Sequence, residues 1–281
     1  MRLGISSYTF GWAVGVRGSE PAHPLDEMGL LDKATELGVD LVQVGDNLPL
    51  VEMNSSRLEH FAAAANERHI QIEVGARRLT AENISAHLAV ADRLGARLLR
   101  FVIDDGAFRP NLPEITAILR TAAPALQERQ VVLGIENHDR FAARTLAAIL
   151  EEVGSDSIGI CLDTANSLGA GEGICEVLDV LIPWTVNLHI KDFTIQRLPY
   201  LMGFMVTGRP AGDGMLDIPQ LLESLGQSGR CKTAILELWT PPEAEIDQTV
   251  AKEHAWAVQS LDYLKPLFQD DGRATVSTVA A

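Results

Sequence analysis

Eight short runs of β-branched and apolar residues alternate along this chain with longer amphipathic segments, and no other feature limits its fold as tightly. The runs are RLGISSY (2–8), VDLVQVG (39–45), HIQIEVG (69–75), RLLRFVI (97–103), VVLGIE (131–136), IGICLD (158–163), TVNLHI (185–190) and TAILEL (233–238). Between them, segments such as TAENISAHLAVADRLGA (80–96) and LPEITAILRTAAPALQER (112–129) repeat apolar residues at helical spacing. Gly38, Gly95 and Gly154 stand where left-handed caps end helices, and Thr80 with Asn83 opens one. Strands joined by crossover helices pair in parallel, and such units close into a barrel or remain an open, doubly wound sheet. An open sheet of that kind carries G-x-G-x-x-G after its first strand, whereas this chain has SYTFGWAVGVRG there. The sequence therefore predicts an α/β fold, a single (β/α)8 TIM barrel over residues 1–270. The small, polar, unpatterned residues 271–281 are expected to form a flexible C-terminal tail.

At 281 residues and 47% apolar content, one large core suffices. A formal charge of −15 repels phosphate backbones and anionic lipid, so neither nucleic acid nor membrane is an expected partner. The N-terminus MRLGISSYTF lacks the features of a signal peptide. Cys161, Cys175 and Cys231 are widely spaced and form no C-x-x-C pair, which argues against a disulfide framework or a thiolate zinc site and suits a reduced, cytoplasmic setting.

Chemistry concentrates at the ends of the last four strands. VVLGIENHD ends in Glu136, IGICLD in Asp163, TVNLHIKD carries His189, and AILELW carries Glu237. Any one of these taken alone reads as a cap, a turn residue or a satisfied core group. Four successive strands delivering such side chains to one rim are different, because neighbouring barrel strands lie about 5 Å apart. Three carboxylates and an imidazole suit one divalent ion, Mn²⁺ first, then Mg²⁺, Co²⁺ or Zn²⁺. Glu237 is the most telling singly, since Leu236, Leu238 and Trp239 surround it with apolar neighbours. Arg77, Arg100, Arg197, His138 and Lys191 lie on or beyond strand ends and are candidate substrate contacts. Arg100, inside LLRFV, can bind a substrate carboxylate bidentately if it points into the barrel mouth, and Lys191 can orient a ligand, donate a proton or pair with Asp192. The connections 9–25 and 191–214 are long; the second, rich in exposed-type apolar residues, reads as a lid or an oligomer contact.

Taken in order and spacing, IEN, LDTAN, HIKD, GDG and LEL resemble the xylose-isomerase-like TIM-barrel superfamily of sugar isomerases and epimerases, inositol-derivative dehydratases and endonuclease-IV-type enzymes. The resemblance covers nearly the whole chain. It implies Glu136, Asp163, His189 and Glu237 as metal ligands, with Glu136 and Glu237 also shuttling protons as in the epimerases. Endonuclease-type members carry extra histidines after strands three and four, after the strand-six Asp and before the Gly-x-Gly turn. This chain has none of them, so a trinuclear zinc site is not implied. Asn166 stands where ketohexose epimerases have a substrate-binding His, which argues against an ordinary ketohexose and makes Asn166 a further candidate contact. The opening LGISSYTFGWAVGV resembles members assigned to branched sugar-acid breakdown, 3-oxo-isoapionate decarboxylases among them.

These features predict an enzyme of carbohydrate metabolism. The first expectation is a metal-dependent isomerase or epimerase of a keto-sugar or sugar acid acting through a metal-stabilised cis-enediolate. A β-keto sugar-acid decarboxylase (a carboxy-lyase) or a dehydratase is the alternative, and a non-catalytic ligand-binding barrel is a second one. The long loops are compatible with a homo-oligomer, whose order no sequence rule gives.

Overall fold

The β-branched runs become parallel strands closed on themselves. A computed structural model of the chain describes residues 1–269, so the tail expected at 271–281 lies outside the described residues. The strands are β1 (Arg2–Ser6), β2 (Leu41–Val44), β3 (Gln71–Arg77), β4 (Leu98–Val102), β5 (Val132–Glu136), β6 (Ile158–Asp163), β7 (Thr185–Ile190), β8 (Asp192–Arg197), β9 (Phe204–Arg209) and β10 (Thr233–Leu236). All but β8 and β9 form one closed barrel in the order β1-β10-β7-β6-β5-β4-β3-β2. This is the (β/α)8 TIM barrel. Closure leaves no barrel edge unpaired, and strands such as β4, β6 and β7 are buried along their full length.

Around the barrel run α1 (Gly11–Val14), α2 (Glu27–Glu36), α3 (Ser55–Glu67), α4 (Ala81–Leu94), α5 (Leu112–Arg129), α6 (Ala143–Val153), α7 (Ile174–Leu181), α8 (Ile218–Ser228) and α9 (Ile246–Gln269). Their ends follow local chemistry. The Thr80 side chain accepts the Asn83 N–H to start α4, and Asn111 with Glu114 forms a reciprocal capping box on α5. Gly95 and Gly154 close α4 and α6 in the left-handed conformation that a Cβ disfavours. No helix among the described residues is long and apolar enough to cross a membrane.

The segment after β7 departs from the expected loop. β8 and β9 form an antiparallel hairpin outside the barrel, pairing Asp192 with Arg209 through Arg197 with Phe204. β8 alternates polar and apolar residues too briefly to stand out beside the barrel runs, and β9 does not alternate. Asp192 fastens the hairpin base: Oδ2 accepts the N–H groups of Gly212 and Gly214 at 2.9 and 3.0 Å, and Oδ1 accepts that of Leu216 at 3.1 Å. A Cβ at position 214 would fall on the Asp192 carboxylate, so GDG serves geometry, as its sequence suggests.

On the same rim, α9 reaches back to the first loop. Glu253 accepts the N–H groups of Trp12 and Ala13 at 3.0 and 3.1 Å and is buried. Burial pushes its carboxyl from the ordinary 4.5 up to about 7, although both N–H donors favour the anion. The folded chain thus keeps a proton that the unfolded chain has lost. The resulting stabilisation is full below about pH 4.5 and disappears as pH rises through about 7, and it is worth on the order of 3 kcal/mol. Glu253→Gln cannot ionise and is expected to flatten the fall in melting temperature across that window. Identical pH slopes for parent and variant would show that Glu253 does not titrate there.

Candidate metal centre

Four strand ends meet at the C-terminal rim of the barrel. Glu136 is the last residue of β5, Asp163 the last of β6, His189 the penultimate residue of β7, and Glu237 directly follows β10. The register sets Asp163 beside His189 on one side and Ile235 beside it on the other, which brings Glu237 close. All four side chains are buried.

Each carboxylate fixes one oxygen and turns the other toward His189 Nδ1, where Arg100 also reaches Glu136 Oε2 and Lys191 reaches Asp163 Oδ2. Asp163 Oδ1 accepts the N–H groups of Ala165 and Asn166 at 2.8 and 2.9 Å, while Glu136 Oε1 accepts from Asn166 Nδ2 at 2.7 Å. Glu237 Oε2 lies 3.1 Å from Lys191 Nζ. The inward atoms, Glu237 Oε1, Glu136 Oε2 and Asp163 Oδ2, lie 3.4, 3.9 and 3.9 Å from His189 Nδ1. His189 Nδ1 is buried with no hydrogen-bond partner among the described residues, whereas Glu136 Oε2 is ion-paired with Arg100. The ligand atoms of Asp163, His189 and Glu237 all lie within 4.8 Å of one another, the size of a divalent-cation shell, and Glu136 Oε2 stands at the edge of that set, 3.9 Å from His189 Nδ1. One nitrogen and the oxygens of Asp163 and Glu237 fit such an ion. Cys161 also lies within reach of Glu136 and His189. Burial first, and the nearby carboxylates with it, hold its thiol well above the usual range, and its Sγ donates to Asn187 at 3.0 Å. A protonated thiol committed as a donor is not a ligand.

Two cations offset the buried acids. Arg100, on β4, ion-pairs with Glu136 Oε2 and reaches Asp46 Oδ1 at 3.0 Å. Lys191 Nζ lies 2.7 Å from Asp163 Oδ2 and bridges to Glu237. Burial opposes both charges, but the surrounding carboxylates outweigh it and raise both pKa values. Burial likewise opposes the Glu237 anion, yet His189 and Lys191 hold its carboxyl well below the usual range.

Several expectations need correcting. Lys191 does not pair with Asp192, whose carboxylate is taken by the hairpin base. Arg100 does point into the barrel, but its guanidinium is already engaged by Glu136 and Asp46 and is not free for a substrate carboxylate. Asn166 holds Glu136 and caps Asp163. Arg197 contacts its own hairpin, donating to Leu201 O at 3.0 Å with its guanidinium 4.5 Å above the Phe204 ring. Arg77 pairs with Asp46 at 3.2 Å, and His138 Nδ1 with Asp139 Oδ1 at 2.5 Å. Arg77 and His138 nevertheless line a cavity of about 290 Å³ beside Glu136, together with Arg109, Asp139, Arg140 and Phe141. Sequence reasoning passed over Gln43, Asp46 and Glu73. A Gln and a Glu at matching places inside the apolar runs VQVG and IEVG were the available signal.

The model of the family described as "Xylose isomerase-like TIM barrel" matches residues 31–267. The chain belongs to the xylose isomerase-like TIM barrel family. Among its relatives, a 3-oxo-isoapionate decarboxylase of Pectobacterium atrosepticum is 31% identical over 264 residues, covering 94% of this chain and 95% of that protein. The crystal structure of D-psicose 3-epimerase in the presence of D-fructose superposes with a TM-score of 0.72 at 14% identity, over 95% of this chain and 99% of the other. A family member from Mycobacterium smegmatis in complex with magnesium gives a TM-score of 0.70 at 14% identity, over 93% and 97%. At such identities the likeness to the two structures is one of fold. This family barrel thus has a decarboxylase relative, and its fold is shared by a sugar epimerase.

Removing Arg100 would strand the buried Glu136. Arg100→Met is expected to cost about 3–5 kcal/mol in denaturant unfolding of the chelator-treated protein, and adding Glu136→Gln should recover part of it. A loss below about 1 kcal/mol would mean that the pair does not carry this charge balance.

Proposed function

We propose that the chain is a divalent-metal-dependent decarboxylase of a β-keto sugar acid, in which Glu136, Asp163, His189 and Glu237 hold one ion, Mn²⁺ first. The observation that carries this reading is that both glutamates are held by cations, Glu136 by Arg100 and Glu237 by Lys191. Epimerisation asks two carboxylates to exchange protons with opposite faces of a substrate. A carboxylate clamped by a buried guanidinium or ammonium takes up a proton poorly, so a reaction needing a single proton donor suits this site better. The decarboxylase relative, matched over nearly the full length of both chains, supports the same choice.

When bound, the ion would supply Lewis-acid polarisation of the substrate's ketone oxygen. The protein's own groups do the rest. Arg100 and Asn166 keep Glu136 oriented and unprotonated. As CO₂ leaves, the bond between the carboxyl carbon and the α-carbon breaks, and its electron pair stays with the keto fragment. The α-carbon then takes one proton. Lys191, an ammonium throughout the neutral range, holds that proton beside Asp163 and Glu237 and offers it from Nζ. Arg77 and His138, on the cavity next to Glu136, contact the hydroxyl and acid groups of the substrate. The free, buried thiols of Cys161 and Cys231 accord with a reducing cytoplasmic setting.

The isomerase or epimerase reading stands second, favoured by Glu237 Oε1, which accepts the neutral Ser6 hydroxyl at 3.1 Å while Lys191 pairs with Oε2. Product analysis with 3-oxo-isoapionate separates the two. CO₂ release that stops with chelator is expected, and an isomer formed without CO₂ would replace the first reading with the second. Metal analysis should find about one equivalent of divalent ion in the parent and little in Glu237→Gln. Lys191→Met should keep its metal while losing about 100-fold or more in turnover. A parent that takes up no divalent ion and turns over no sugar acid would leave a ligand-binding barrel.

A further inference from the structure

Beneath the four candidate ligands, the barrel interior contains a second polar layer that no step above uses. Gln43 on β2, Glu73 on β3 and Asn187 on β7 are all buried there. Gln43 Oε1 lies 2.8 Å from His189 Nε2. Gln43 Nε2 donates to Glu73 Oε2 at 3.1 Å and to Asn187 Oδ1 at 3.2 Å. Asn187 is oriented in turn: its Nδ2 faces the Thr233 carbonyl, which can only accept, at 3.5 Å and donates to Thr233 Oγ1 at 2.8 Å, while its Oδ1 accepts from Cys161 at 3.0 Å.

These bonds leave each amide one orientation. Glu73 and Asn187 Oδ1 are acceptors, so the nitrogen of Gln43 must face them and its oxygen must face His189. An oxygen there accepts a proton from Nε2. The neutral imidazole that a cation requires is then the tautomer with a bare Nδ1, the atom that faces Glu136, Asp163 and Glu237. A flipped amide would present N–H to Nε2 and drive the ring proton to Nδ1, where it would block a cation. We propose that Gln43, held in one sense by Glu73 and Asn187, is the positioning residue that makes His189 Nδ1 a metal ligand. The inference rests on the metal centre of the proposed function and adds to it an element from strands β2 and β3, on the far side of the barrel from β6.

Two variants of similar size separate this role from packing. Gln43→Glu keeps an acceptor for Nε2–H, whereas Gln43→Leu does not. With Mn²⁺ dissociation constants measured by competition against a chromophoric chelator, Gln43→Leu is expected to bind about 10–100-fold more weakly and Gln43→Glu within about threefold of the parent. The rise in melting temperature on adding Mn²⁺ should shrink in Gln43→Leu alone. A second measurement needs no variant: ¹⁵N spectra of the Zn²⁺-loaded parent should show the His189 proton on Nε2. Mn²⁺ binding by Gln43→Leu equal to the parent, or equal weakening by Glu and Leu, would overturn the role of Gln43 and leave the metal reading standing, whereas a proton on Nδ1 would overturn both that role and His189 Nδ1 as a ligand. A parent that binds neither ion would remove both.

Discussion

Burying three carboxylates within a few ångströms of one another is the constraint on which this structure depends. Asp163, Glu237 and Glu136 are 0, 2 and 3% exposed, and an uncompensated ion at such depth costs several kcal/mol. The barrel supplies the compensation from neighbouring strands. Arg100 comes from β4 beside Glu136 on β5, and Lys191 from the end of β7, between Asp163 on β6 and Glu237 after β10. These five charges sum to minus one. A divalent cation at the proposed site would therefore meet net negative charge, and His189 Nδ1, which has no hydrogen-bond partner among the described residues, would join its shell.

The same strand alternation explains what the sequence revealed and what it did not. Ligand types at four consecutive strand ends were visible because the strands themselves were, and parallel closure forces such ends onto one rim. Partners were harder to read. Lys191 is two residues beyond His189 and so faces the same side, toward Asp163, while Asp192 turns the other way to hold Gly212, Gly214 and Leu216. Adjacency in sequence suggested the wrong pair. Arg100 was legible as an odd charge in an apolar strand, but its neighbours Glu136 and Asp46 come from two other strands, whose register a single sequence does not state. The hairpin of β8 and β9 was hidden because its anchor is a set of backbone N–H groups, which leave no side-chain pattern.

One frame of ligands is compatible with isomerisation, decarboxylation and dehydration, so the groups around it decide the chemistry. Here those groups are cations locked to acids and an asparagine on Glu136, an arrangement suited to holding charge in place and poorly suited to passing protons between two carboxylates. The polar layer below works in the same direction, since a ring fixed by Gln43 has one nitrogen to offer and no freedom to carry a proton across the site.

Anomalous diffraction from crystals of the protein grown with Mn²⁺ tests the central claim most directly. The account predicts one strong peak about 2.1–2.3 Å from His189 Nδ1 and from one oxygen each of Glu136, Asp163 and Glu237. A cluster without density, still closed by Lys191 and Arg100 at saturating Mn²⁺, or a peak bound elsewhere on the chain, would contradict it.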